Sequence, residues 1–329
     1  MKAAIVGVGG IELSLAEERL LRAHPPAGII LFARNIESPT QLRALIAETR
    51  RVLPPRAVLM VDQEGGRVAR LRPPNWRVHP AAASIGAAGE RAAWLTGALI
   101  GLDCSACGFD VVCAPVLDLR WPGAADVIGD RAFSDQPQEV ARLGTAFADG
   151  LLASGIQPVM KHLPGHGRAQ VDSHLALPRV EEADLEPDLL PFAANAHLPW
   201  AMTAHIVYPC WDLVHPATLS PSVIGSVIRG RIGFRGVLVS DDLAMHALSG
   251  PPEARASAAL EAGCDLALYC TGELETNAAV LESCPEITGA ALARLHAARR
   301  LADDRRIWLG PDVLAVERER LLGYSACSS

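Results

Sequence analysis

The chain has 329 residues, of which 50% are hydrophobic and 20% are charged, and its formal net charge is −7. This composition suffices for a large buried core, and the negative charge argues against nucleic acid or an anionic membrane as a partner. No stretch approaches 18 consecutive apolar residues and no cleavage site follows the apolar N-terminus, so we expect a cytoplasmic protein without a membrane span. The eight cysteines are scattered, and we interpret them as reduced, buried thiols.

Short apolar runs alternate with segments of helical spacing along the chain. The eight runs that we predict as strands are residues 3–8, 28–32, 57–61, 110–115, 157–160, 200–206, 236–240 and 265–269. The segments with the clearest helical spacing are residues 39–52, 138–154 and 254–262. Gly155 and Gly263 follow the last two segments, as glycines do at helix C-termini. Residues 312–329 are predicted to form a closing helix and a frayed end.

Eight alternations of strand and helix favour parallel strands joined by right-handed crossovers, and eight is the number that closes a barrel. We therefore predict an α/β fold, a single (β/α)8 TIM-type barrel that spans residues 1–329. The alternative is an open, doubly wound sheet with a dinucleotide-binding loop after the first strand. Gly7, Gly9 and Gly10 suggest such a loop, but Glu12 stands where the third glycine of the fingerprint is required.

Charged side chains stand at the ends of several predicted strands. They are Asp62, Asp118, Lys161, His162, Asp241 and Asp242, and His205 lies near the end of the sixth strand. In a (β/α)8 barrel the catalytic groups collect at the carboxyl ends of the strands. The pattern therefore predicts that these side chains converge on one rim, as an active site does.

The polar segment after the fifth strand is the densest of these clusters. Residues 161–167 read K-H-L-P-G-H-G, and residues 172–174 read D-S-H. The proline and glycines prevent a regular helix there, so His162 and His166 cannot form a helical pair of metal ligands. No nucleophile elbow and no phosphate-binding loop occurs elsewhere. We expect neither a metal nor a cofactor, and the remaining chemistries are glycosyl transfer by carboxylates and Schiff-base formation on Lys161.

Some polar residues also have structural interpretations. Asp241 and Asp242 are adjacent, and neighbours in a strand point to opposite faces. We expect Asp241 to face the pocket and Asp242 to cap the following helix. His166 is expected to shape its loop by hydrogen bonding, and His205 to form part of the pocket wall.

The sequence K-H-L-P-G-H-G followed by D-S-H resembles the signature of glycoside hydrolase family 3, in its bacterial β-N-acetylglucosaminidase branch. Three further stretches resemble the same branch, namely residues 61–68, residues 114–118 with 128–133, and residues 240–245. The stretch G-I-I-L-F-A-R-N at 28–35 is also similar. Leu163 departs from the phenylalanine usual in the family, a hydrophobic exchange that we expect to be harmless.

The resemblance implies a retaining β-hexosaminidase of cell-wall recycling on a (β/α)8 barrel. It implies that Asp241 is the nucleophile and that His174 is the acid/base, oriented by Asp172. The residues implied to hold the sugar are Asp62, Arg70, Arg131, Lys161 and His162. The implied substrate is a muropeptide of the GlcNAc-anhydroMurNAc-peptide type, and we expect a cytoplasmic monomer.

Four alternatives to this activity stay open at this point. They are a lyase or aldolase that uses Lys161, a family member that only binds glycans, a β-glucosidase with the same site, and a phosphorylase that passes the sugar to phosphate. An uncharged imidazole as the base would not repel phosphate as a carboxylate does, which keeps the phosphorylase in consideration.

Overall fold

The computed structural model describes residues 1–173, 175–308 and 310–323. Ten strands lie in this part of the chain: β1 Lys2–Gly7, β2 Pro26–Leu31, β3 Val58–Val61, β4 Gln63–Gly65, β5 Val68–Ala69, β6 Val111–Val112, β7 Gln157–Leu163, β8 Trp200–Thr203, β9 Val237–Asp242 and β10 Leu266–Tyr269. Eight of them form a closed barrel in the order β1-β10-β9-β8-β7-β6-β3-β2, and every pairing is parallel. The short strands β4 and β5 form an antiparallel hairpin outside it.

The predicted barrel is therefore confirmed, and each predicted run overlaps one barrel strand. Because consecutive barrel strands are neighbours around the ring, their carboxyl ends all lie at one rim. The prediction was wrong in detail for the fifth run, which continues to Leu163 rather than ending at residue 160. Lys161 and His162 are thus strand residues, and the peptide bond between them is cis.

Ten α-helices accompany the strands in the described residues. They are α1 Leu15–Ala23, α2 Pro39–Val52, α3 Ala82–Ala88, α4 Glu90–Cys107, α5 Pro137–Ala153, α6 Glu186–Ala194, α7 Pro252–Ala262, α8 Leu274–Ser283, α9 Gly289–Arg305 and α10 Pro311–Leu321. A π-helix, Val223–Arg231, covers the segment between β8 and β9. The three helices predicted from spacing are α2, α5 and α7. Gly155 and Gly263 follow α5 and α7 with φ of +81° and +117°, a left-handed conformation that favours glycine.

Two apolar layers fill the fold, and β3 shows how they arise. Val58 and Met60 belong to the cluster inside the barrel, whereas Leu59 and Val61 belong to the larger cluster between barrel and helices. Alternate residues of a strand point to opposite faces, which separates the two sets. Because side chains fill the barrel interior, a ligand can bind only at an end of the barrel and not inside it.

The part of the chain after α9 completes the described structure. The predicted closing helix is α10, which packs on α4. The predicted frayed end falls in residues 324–329, which lie outside the described residues. Among the helices of the described ranges, none is both long and apolar enough to cross a bilayer.

Candidate active site

A cavity of about 160 Å³ opens at the carboxyl ends of the barrel strands. Six of the eight site residues predicted from the sequence line it: Asp62, Arg70, Arg131, Lys161, His162 and Asp241. Its apolar walls come from residues at the ends of β2, β8 and β10, including Ile30, Met202 and Leu268. The barrel core closes the cavity from below, so it is a pocket rather than an open groove.

Asp62 lies between two cations on the pocket wall. Its Oδ1 accepts a hydrogen bond from Lys161 Nζ at 3.1 Å, and its Oδ2 accepts one from Arg70 Nη2 at 3.1 Å. Burial raises the pKa of this carboxyl, but Lys161 and Arg70 lower it more, so the pKa lies below its ordinary value. Asp62 therefore remains ionised at neutral pH.

Glu64 forms an ion-pair network with two cations of the pocket, Arg131 and Lys161, and the sequence analysis did not assign it a role. Its carboxylate accepts two hydrogen bonds from Arg131, at 2.8 and 2.9 Å, and lies 2.6 Å from Lys161 Nζ. Burial raises the pKa of Glu64, but the two cations lower it well below its ordinary value. The available signal was its position two residues after Asp62, which puts both side chains on one face of an extended segment.

Asp118 supports His162 from behind the pocket wall. Its buried carboxylate lies 2.7 Å from His162 Nδ1 and accepts the backbone N–H of His162 at 3.2 Å. It also accepts the backbone N–H of His166, at 2.6 Å. Because Asp118 occupies Nδ1, the other ring nitrogen of His162 remains for the pocket.

Asp241 lies at the end of β9, where its carboxylate faces the pocket. Its Oδ1 accepts the backbone N–H of Asp242 at 2.8 Å. Burial raises its pKa, but His162, His205 and this hydrogen bond lower it more. The net pKa lies below the ordinary value, so the carboxylate is ionised at neutral pH, as a nucleophile must be.

The prediction for Asp242 was wrong in two respects. Asp242 also lines the pocket, and no helix follows it directly. Its Oδ1 instead accepts the backbone N–H groups of Ala244 and Cys270, at 3.0 and 3.1 Å. These bonds join the turn after β9 to the end of β10. The two side chains do not separate to opposite faces because the strand bends into a turn at this point.

The remaining histidines differ in their positions. His166 shapes its loop as predicted, since its Nε2 lies 3.0 Å from Ser173 Oγ, and burial lowers its pKa to about 4. His205 is fully buried behind the pocket wall, with Nε2 at 3.0 Å from the carbonyl oxygen of Asp242. Asp172 lies in the loop after β7, and the predicted acid/base His174 lies outside the described residues.

Metal binding has little support in the described ranges, where no group of three or more histidine, cysteine or carboxylate side chains is arranged to hold a metal ion. The pocket instead presents carboxylates, guanidinium groups, an ammonium and an imidazole. Such groups exchange hydrogen bonds with the hydroxyls of a sugar, and the carboxylates among them stabilise a developing positive charge. The fold and the site thus define a barrel enzyme that acts on a small polar substrate, and a glycoside fits them best.

Comparison with known proteins gives the family. The model of the Glycosyl hydrolase family 3 N terminal domain matches residues 5–300. A beta-hexosaminidase of Alkalilimnicola ehrlichii is 44% identical over 310 residues, which cover 89% of this chain and 88% of that protein. A beta-hexosaminidase of Methylococcus capsulatus is 44% identical over 279 residues, which cover 82% of each. The chain therefore belongs to glycosyl hydrolase family 3.

Solved structures agree with this assignment. The structure of NagZ from Neisseria gonorrhoeae in complex with N-trifluoroacetyl-D-glucosamine superposes with a TM-score of 0.86 at 32% identity and covers 98% of both chains. A family 3 β-N-acetylglucosaminidase from Paenibacillus superposes with a TM-score of 0.80 at 32% identity and covers 99% of this chain and 62% of that one. The predicted family, with its β-hexosaminidase branch, is confirmed.

Proposed function

We propose that the chain is a retaining exo-β-N-acetylglucosaminidase that works through a covalent intermediate on Asp241. The position of this ionised carboxylate, at a strand end on the wall of the pocket, is the observation that carries the proposal. Asp241 attacks the anomeric carbon while the bond from that carbon to the leaving oxygen breaks and the oxygen takes a proton. Water then gives up a proton and displaces Asp241, so the configuration is retained.

The proton donor in this proposal is His174, oriented by Asp172. The ion-paired carboxylates of Asp62 and Glu64 have lowered pKa values and cannot hold a proton at neutral pH. A histidine titrates in the required range, so one residue can serve as acid and then as base. Ser173, which directly precedes His174, lines the pocket, and this placement supports the assignment.

Asp242 is the second candidate for the proton donor. Burial raises its pKa, as does the neighbouring charge of Asp241, which is the direction that suits an acid. Its Oδ1, however, already accepts two backbone N–H groups. If Asp242 were the donor, Asp242→Asn would abolish turnover and His174→Ala would retain it, whereas our proposal expects the larger loss from His174→Ala.

We further propose that the sugar hydroxyls are held by the predicted set, Asp62, Arg70, Arg131, Lys161 and His162. The ion pairs of Asp62 and Glu64 fix the directions of the cations before a substrate arrives, which reduces the ordering cost of binding. A pocket closed by the barrel core admits the end of a glycan rather than its middle, in keeping with removal of a terminal residue.

The finer features of the substrate are part of the same proposal. We propose N-acetylglucosamine as the glycone and muropeptides of the GlcNAc-anhydroMurNAc-peptide type as the substrate, in cell-wall recycling. The N-trifluoroacetyl-D-glucosamine bound to the gonococcal relative supports an acylated amino sugar in the pocket. We also propose that the chain acts in the cytoplasm as a monomer, that residues 1–329 form one domain, and that no cofactor takes part.

Lys161 is poorly suited to the alternative Schiff-base chemistry. Burial lowers the pKa of its ammonium, but Asp62 and Glu64 raise it more, so the net pKa lies above its ordinary value. A Schiff base requires the neutral amine. We therefore expect that borohydride does not trap a substrate on Lys161.

A fluorinated sugar that keeps the acetamido group provides the test of the nucleophile. We expect a 2-acetamido-2-deoxy-5-fluoro glycosyl fluoride to inactivate the enzyme with one covalent label, which peptide mapping places on Asp241. A label on Asp242, or no label under conditions of inactivation, would contradict the mechanism.

Substrate comparison tests the specificity. An aryl β-N-acetylglucosaminide should be cleaved faster than the matching β-glucoside, and phosphate should not change the turnover. Equal or faster cleavage of the glucoside would overturn the proposed glycone. Phosphate-dependent formation of a sugar phosphate would establish the phosphorylase instead.

A further inference from the structure

Three side chains outside the pocket form a closed cluster beside the loop that follows β7. Trp121 lies in the loop after β6, Arg168 lies in the segment between β7 and Asp172, and Asp188 lies in the first turn of α6. The indole N–H of Trp121 donates to Asp188 Oδ1 at 2.8 Å, and Arg168 Nε donates to Asp188 Oδ2 at 2.7 Å. The guanidinium of Arg168 also stacks on the indole, with Cζ at 3.8 Å from the ring centroid.

Each member of this cluster contacts the other two. The side chain of Asp188 is 3% exposed and that of Arg168 is 14% exposed, so both charges are largely removed from water. A buried ion pair is tolerated when hydrogen bonds satisfy it, and here the indole supplies the additional donor. None of the three residues lines the pocket. Any effect of the cluster on the pocket therefore passes through the segment that contains Arg168.

That segment is attached to its surroundings on both sides of Arg168. Ala125 donates its backbone N–H to the carbonyl oxygen of Ala169 at 2.9 Å. Gly167 packs so closely on the loop after β6 that a Cβ atom would lie 2.2 Å from the carbonyl oxygen of Leu119. The cluster thus fixes the start of a loop whose next charged residue is Asp172.

The end of the same loop, at Ser173, contacts its beginning, at His166. His166 Nε2 and Ser173 Oγ share a hydrogen bond of 3.0 Å, and both side chains are buried. Arg168 therefore lies inside a loop that is closed between residues 166 and 173. A displacement of Arg168 would move Asp172 and Ser173 relative to the pocket.

We propose that Arg168 is a positioning residue for the proton transfer, because its stack on Trp121 and its pair with Asp188 hold the segment that leads to Asp172 and His174. The inference rests on the proposed function, in which these two residues handle the proton. Arg168 contacts no substrate atom in this scheme. It acts by keeping the acid at the distance and angle that proton transfer requires.

This role has a consequence that a purely structural role lacks. A weakly basic leaving group departs without protonation, whereas a basic one needs the acid. The ratio kcat/KM reports the steps up to the cleavage of the glycosidic bond. Misplacement of the acid should therefore lower kcat/KM for a phenyl β-N-acetylglucosaminide much more than for a 2,4-dinitrophenyl one.

The experiment compares Arg168→Ala with Arg120→Ala on these two substrates. Arg120 is an exposed arginine next to Trp121 and serves as the matched control. We expect Arg168→Ala to lower kcat/KM on the order of 10- to 100-fold for the phenyl glycoside and by less than about threefold for the dinitrophenyl glycoside. Azide attacks the glycosyl-enzyme without the help of a base. It should therefore raise kcat of Arg168→Ala and give glycosyl azide as the product.

Two milder variants guard against a simple failure to fold. Trp121→Phe keeps an aromatic face but removes the donor to Asp188, and Arg168→Lys keeps the charge but removes the planar stack. For both variants, kcat/KM for the two substrates should change in the same direction as in Arg168→Ala, but by less. Their melting temperatures should be close to that of the unaltered enzyme.

Each outcome of this experiment decides the proposal. Equal losses on both substrates, or no loss in the folded variants, would overturn the positioning role while leaving the proposed function intact. If the unaltered enzyme cleaved neither glycoside, the proposed function would fail, and the positioning role would fail with it.

Discussion

The two ends of the barrel both contain buried carboxylates paired with arginines, yet they differ in what the carboxylates face. At the amino ends of the strands, Asp265 accepts hydrogen bonds from Arg229, from Arg294 and from the backbone N–H of Leu238, at 3.0, 2.6 and 2.9 Å. At the carboxyl ends, Asp241 accepts one backbone N–H within its own turn and faces the pocket.

Asp110 repeats the arrangement at the amino ends. Its Oδ2 accepts a hydrogen bond from Arg50 at 2.6 Å and another from the backbone N–H of Leu59 at 2.8 Å. Each of these carboxylates precedes one strand and binds the backbone of the adjacent strand, so it joins neighbouring strands. Charge at the amino ends therefore stabilises the barrel, whereas charge at the carboxyl ends is left facing space that a substrate can fill. This contrast agrees with the general division of barrels into a stability face and a catalytic face.

The largest expected effect is the loss of activity in Asp241→Asn. An amide is a poor nucleophile, so we expect kcat to fall on the order of 10⁴-fold. The free energy of unfolding should stay within about 1 kcal/mol of its original value, because the substitution keeps the shape and removes a buried charge. Steady-state kinetics and urea denaturation measure the two quantities. Intact turnover in this variant would remove the basis of the proposed mechanism.

Glu64→Gln should produce the second-largest effect. The amide cannot pair with both Arg131 and Lys161, so the cations lose their fixed directions. We expect kcat/KM to fall about 100-fold. Glu139→Gln, at an exposed site on α5, is the matched control and should leave kcat/KM unchanged. A Glu64→Gln variant within threefold of the original kcat/KM would show that the network does not prepare the pocket.

Asp265→Asn tests the opposite end of the barrel. The substitution weakens two ion pairs, and we expect the free energy of unfolding to fall by about 2 kcal/mol. At a temperature where the variant is folded, kcat should change less than about twofold. Asp303→Asn, at an exposed site on α9, is the control for loss of one negative charge. If Asp265→Asn lost activity but not stability, the division into a stabilising amino end and a catalytic carboxyl end would be contradicted.

The smallest effect is a pH dependence that originates at His166. Burial lowers the pKa of this histidine to about 4 in the folded state, whereas an unfolded histidine has a pKa of about 6.5. Between these pH values the unfolded chain takes up a proton that the folded protein does not bind, so stability falls as the pH is lowered. The slope from this group is at most ~1.4 kcal/mol per pH unit.

His166→Gln should remove that part of the slope. Urea denaturation at several pH values between 4.5 and 7, with the unaltered protein measured alongside, provides the comparison. A slope that is unchanged in the variant would show that His166 accepts its proton as readily in the folded state as in the unfolded one.

The strands and the strand-end residues were predictable because both signals are local. Apolar runs bounded by glycine and proline mark strands, and a charged residue directly after such a run is visible without any knowledge of the fold. The resemblance to a known family added the roles of Asp241, Asp172 and His174, which local patterns alone left open. Those roles stay predictions, and the position of His174 lies outside the described residues.

Other features depend on contacts between residues far apart in the chain. Glu64 and Arg131 are 67 residues apart, as are Trp121 and Asp188, and no pattern along the sequence pairs them. Asp242 lines the pocket because its strand ends in a turn, which alternation along a strand does not foresee.

By itself, then, the sequence determined which segments form the barrel and which side chains stand at its rim, because backbone preference and hydrophobic periodicity act over a few residues. Only the closed barrel decided which charges pair, which carboxylate faces open space, and how Arg168 reaches Trp121 and Asp188. These outcomes require strands and loops from distant parts of the chain to meet at fixed distances, and closure of the barrel sets those distances.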